Sequence, residues 1–68
     1  MYTDIFVEAC NLLTNISTLT DWPMYRDALR PTYWLAMKNC GGDEDPHNYG
    51  KKFIVKFDEI DARYNNRA

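Results

Sequence analysis

Phe53, Phe57, Ile60 and Tyr64 recur at spacings of four, three and four, which on an α-helix aligns them as one apolar seam. A lone amphipathic helix is marginal in water, so this seam obliges the rest of the chain to supply a partner surface. Lys56, Glu59 and Arg63 fall on the far side, and Glu59 precedes Arg63 by four residues, the favourable order for a helical ion pair. The stretch 51–57 also alternates as a strand, with Phe53, Val55 and Phe57 opposite Lys52, Ile54 and Lys56. No other segment reads as a strand that could pair with it, and the seam continuing to Tyr64 decides for helix. Ile54 and Val55 lie off the seam. They are either a strand-like start or apolar surface kept for a partner.

The upstream chain supplies more helix. Thr3 is a candidate cap, Asp4 suits the opening turn, and Ile5, Ala9, Leu12, Leu13 and Ile16 form a stripe flanked by Tyr2, Phe6 and Cys10, which predicts a first helix over 3–16. Asp21 caps a second helix over 21–30, with Pro23 in its first turn and Trp22, Tyr25 and Leu29 on one face, widened by Met24 and Ala28. Pro31 disfavours helical geometry at Arg30 and removes a backbone bond to Asp27, so 31–39 reads as a separate or kinked segment. A register-preserving path places Trp34 beside Asp27 and Lys38 and leaves it exposed, whereas a break turns it inward. Gly41 to Asn48 is the clear loop, Asp45-Pro46 is a helix start, and the last helix opens at 46 or 51 and ends at 64. The pattern predicts an all-α fold, a small bundle of three or four short helices, forming a single domain over 1–68 with a short disordered C-terminal tail.

At 68 residues the chain buries only about 60% of the surface it exposes when unfolded. Chains below roughly 70–80 residues often recruit disulfides, a metal or a second subunit. Two cysteines, Cys10 and Cys40, and the lack of a basic start followed by a long apolar run imply free thiols in a reducing cytoplasm. No apolar run approaches the roughly 18 residues of a membrane span.

Chemistry has little to stand on. Cys40, Asp43, Glu44, Asp45 and His47 are ligand-type residues, but they lack the paired Cys or His of a zinc site and the glycine and distal Glu of a calcium loop. With one His and no phosphate-cradling or nucleophile motif, neither enzyme activity nor a cofactor is expected. A net charge of −2 argues against nucleic acid, although Lys51, Lys52 and Lys56 with Tyr49 could serve a small helix-turn-helix-like regulator. An aromatic fraction of 15% favours a protein-binding module instead, because Trp and Tyr are enriched at interfaces. The candidate contacts are Tyr33, Trp34, Ile54, Val55 and Lys56, with the acidic loop Asp43, Glu44 and Asp45 as a second contact to a basic surface. Two copies could also pair through the C-terminal helix. A short chain of this kind suits an inhibitor or adaptor of a larger protein, of the sort phages and mobile elements encode.

Overall fold

The apolar seam of the last helix is the axis of the fold. In the computed structural model, which describes residues 3–16, 19–39, 45 and 47–66, α3 (Tyr49–Asn65) packs against both α1 (Thr3–Thr14) and α2 (Trp22–Asn39). Helices α1 and α2 touch each other much less. Phe53 and Phe57 are buried, and Ile60 and Tyr64 pack partly buried beside them. No strand occurs among the described residues, so 51–57 is helical and the small all-α bundle is the fold.

Helix directions follow from the contacts. Trp22, at the start of α2, reaches Asp61 near the end of α3, while Tyr33 further along meets Phe53 and Phe57. These two helices are therefore antiparallel. The Cys10 thiol points to the Tyr49 carbonyl, and Leu13 shares a groove with Ile60 and Arg63, so α1 runs parallel to α3. The result is an up-down-up bundle of 40 × 17 × 17 Å.

The first helix buries a face rotated from the expected stripe. Phe6, Ala9, Cys10 and Leu13 enter the core, whereas Ile5 and Leu12 remain partly exposed. Two overlapping apolar stripes compete on α1, and the one carrying the Phe6 ring wins because that ring fills the space over Gly50. Thr3 is the first helical residue rather than the cap, and its hydroxyl finds no hydrogen-bond partner among the described residues. The helix stops at Thr14, two residues early. There the Thr14 hydroxyl donates to the Cys10 carbonyl at 2.9 Å, the Asn15 N–H is shared between the Asn11 and Leu12 carbonyls, and the Ile16 N–H reaches only the Leu13 carbonyl, so the ladder tightens and ends.

Residues Leu19–Asp21 make one 3-10 turn that delivers Asp21 directly ahead of Trp22. The helix that follows runs unbroken through Pro31, so the expected segments 21–30 and 31–39 are one element. An internal proline costs about 3 kcal/mol, so compensation must come from packing on both sides of it. Leu29 and Ala36 are buried, and Tyr33 lies against Phe57 with ring centroids 4.5 Å apart. Pro31 itself is exposed, and so is Asp27, whose carbonyl has lost its partner and can turn to water.

The last helix opens at neither 46 nor 51 but at Tyr49. Asp45 reaches forward, and its Oδ2 accepts the Gly50 N–H at 2.9 Å, satisfying one of the donors a helix start leaves open. Between them Asn48 takes a left-handed conformation, φ 59°, which asparagine tolerates better than most residues. A Cβ on Gly50 would lie 2.9 Å from Asp45 Oδ2 and 3.0 Å from the Phe6 ring, so only glycine lets cap and ring close on the same backbone. At the other end the helix includes Asn65, and the Asn66 N–H donates to the Ala62 carbonyl, so Asn65 and Asn66, expected in a tail, belong to α3 and its cap. Residues 67–68 lie outside the described residues.

Gly50→Ala should therefore destabilise the chain by about 1–3 kcal/mol, although the same change at an open helical site would stabilise it by roughly 1 kcal/mol. Asp45→Ala should cost about 1–2 kcal/mol through the lost cap, and Asp45→Asn should retain most of the stability because an acceptor oxygen remains. Urea unfolding of the three variants reads both effects, and a neutral or stabilising Gly50→Ala would refute the close approach.

Candidate protein-binding surface

Burial of one α2 face fixes what the opposite face shows. Because the helical register is kept through Pro31, Trp34 projects outward at 62% exposure, with Met37 one turn on at 59%. Trp34, Met37 and Lys38 line one shallow apolar depression, and Arg30 precedes Trp34 by one turn. Arg30 lies 3.6 Å from Asp27, an exposed pair that holds it weakly.

On the side toward α3 the depression continues into a groove lined by Arg26, Arg30, Tyr33, Trp34, Asp58 and Asp61. Its walls are braced. The Trp22 indole N–H donates to Asp61 Oδ1 at 2.9 Å, Arg26 approaches the same carboxylate at 3.6 Å, and the Tyr33 hydroxyl donates to Asp58 Oδ1 at 3.0 Å. Burial, the hydrogen bond to Asp58 and the nearby carboxylates push the Tyr33 phenol above its usual value. Tyr33 is thus a half-buried brace between helices.

The other candidates separate. Val55 is exposed and Lys56 lies beside it, with Lys51 and Lys52, on the outer face of α3, a patch distinct from that of Trp34. Ile54 packs partly buried against the core, so the off-seam surplus is reduced to Val55. Asp45, expected on an acidic contact loop, is 1% exposed and committed to capping α3, which removes it from any contact surface. Asp43 and Glu44 lie outside the described residues. Met37 and Met24 stand exposed without having been singled out as contacts, and Met24, expected to widen the apolar face, points away from the core. The spacing of Met37 from Trp34 was the available signal.

Reactive groups are few among the described residues. Cys10 is buried, its thiol donates to the Tyr49 carbonyl at 3.7 Å, and burial raises its ionisation above that of the ordinary thiol despite Lys56 and Lys52 nearby. That thiol is held in its unreactive form. His47 is exposed and meets the Tyr49 ring edge-on. No cluster of three or more His, Cys, Asp or Glu suited to a metal occurs among the described residues, and Cys40 lies outside them. No helix among the described residues is long and apolar enough to cross a membrane.

What these features define is a small helical bundle with an exposed indole patch on one helix and a basic patch on another. No protein-family model, curated protein or solved structure matches the chain.

Raising the pH tests the Tyr33 brace. Its folded value lies above its unfolded one, so the stability it contributes is complete below about pH 10 and is lost as the pH rises through the raised value. Absorbance titration should show one tyrosine ionising late, a feature absent from Tyr33→Phe. A wild type whose tyrosines all titrate together with the unfolded chain would remove the brace.

Proposed function

We propose that this chain is a small non-catalytic protein-binding module, an inhibitor or adaptor that engages a larger protein through the outer face of α2. One observation carries the reading: Trp34, the largest side-chain type, is held outward beside Met37 on a helix whose opposite face is anchored in the core. Single exposed apolar residues are ordinary. An indole and a thioether in one depression, flanked by Arg30 and Lys38, have instead the composition of an interface anchor. The complementary surface is an apolar pocket for the indole with carboxylates at its rim, which would meet the two cations.

A sealed thiol and a solvated lone histidine leave no nucleophile–base pair among the described residues, which supports binding rather than catalysis without a cofactor. The buried free Cys10 also suits the reducing cytoplasm in which we place the protein. A helix-turn-helix reader would need a short turn between two helices, and residues 22–39 form one continuous helix.

Trp34→Ala should leave the unfolding free energy within about 0.5 kcal/mol of wild type, while weakening partner binding by roughly 2 kcal/mol or more. Affinity capture from extract of the native cells, run in parallel with wild type and Trp34→Ala, identifies the partner, and titration of that partner measures the loss. Equal binding by the two proteins would exclude this face.

A further inference from the structure

Charge is segregated between α1 and the first half of α3. Helix α1 carries Asp4 and Glu8 and no base, whereas α3 from Tyr49 to Phe57 carries Lys51, Lys52 and Lys56 and no acid. Each stretch also shows apolar surface: Ile5 is 43% and Leu12 39% exposed on α1, and Val55 is 50% exposed on α3. Asp4 and Glu8 are four apart, and Ile5, Glu8 and Leu12 follow at spacings of three and four, so these residues share one outer face. On α3, Lys51 and Val55, and likewise Lys52 and Lys56, are four apart, and together with Asn48 and Glu59 they line a shallow and largely apolar groove. Lys52 Nζ lies 4.9 Å over the Tyr49 ring, and none of the three lysines is ion-paired among the described residues.

We propose that the chain self-associates by laying the acidic outer face of α1 of one copy (Asp4, Ile5, Glu8, Leu12) into the basic groove of α3 of a second copy (Lys51, Lys52, Val55, Lys56). Each chain carries both halves of the contact, so a two-fold pair forms it twice. The seam first expected to pair two copies is already filled within one, by Phe53 and Phe57. Pairing instead covers Ile5, Leu12 and Val55, which the core of nine buried apolar residues among the described residues leaves outside. This surface is separate from the Trp34 patch, so the two proposals stand independently.

Light scattering with reciprocal charge reversal tests the pairing. Wild type at high concentration and low salt should have twice the mass of the 8.0 kDa chain, falling toward that of one chain as salt rises. Lys52→Glu/Lys56→Glu and Asp4→Lys/Glu8→Lys should each weaken self-association by roughly tenfold or more. An equimolar mixture of the two should restore the pair, because each then presents what the other lacks. Circular dichroism confirms that the variants fold, and the milder Lys56→Gln and Glu8→Gln give the same direction if a double variant does not. A wild type that stays a single chain at every concentration would overturn the proposal, as would reversals without effect or a mixture that remains unpaired. So would a monomer that instead binds duplex DNA with steep salt dependence, which would assign the lysines to phosphates.

Discussion

Gly50 is the point at which the bundle closes. The N–H of this residue is taken by a buried carboxylate five positions back, while its missing side chain is replaced by the Phe6 ring of another helix. The two contacts depend on each other. Asp45 fixes where α3 begins, and that start sets which turn of α3 Phe6 meets, hence which face of α1 is buried. A small domain has few such places, and each carries a larger share of a marginal stability.

Around that closure four aromatic rings, Phe6, Trp22, Phe53 and Phe57, are the largest side chains of the core. Trp22 packs edge-on to Phe57 at 4.9 Å while its indole N–H is taken by Asp61, so a large ring is buried without stranding its donor. Tyr33 repeats the arrangement one step along, with its ring on Phe57 and its hydroxyl on Asp58. Few, large, polar-tipped side chains let 68 residues enclose a core. Their tips also stitch α2 to α3 along the groove beside Trp34. The exposed indole is consequently presented on a braced helix, which limits the ordering cost of binding there.

The molecule has two outward surfaces with different chemistry. One is the Trp34 and Met37 depression on α2, and the other is the lysine-lined groove on α3. Helix α1 adds an acidic face of its own. This segregation lets a neutralised exterior hold locally strong charge even though the chain's net charge is only −2.

The periodic pattern by itself determined the helical class, the seam of α3 and the exposure of Trp34 once its register is kept. These follow from the 3.6-residue period, which local sequence carries in full. Only the tertiary structure decided three matters. It carried α2 through Pro31, because burial of Leu29, Tyr33 and Ala36 outweighs a local penalty that sequence shows without its compensation. It chose between the two apolar stripes of α1, since Phe6 prevails only where glycine leaves room on a different helix. It turned Asp45 from a surface acid into a buried cap and moved the start of α3 to Tyr49, a choice made by a carboxylate reaching the Gly50 N–H across a turn. The first two rest on atoms distant in sequence meeting in space; the third spans only five residues, and its burial against Phe6 comes from the packing of α1.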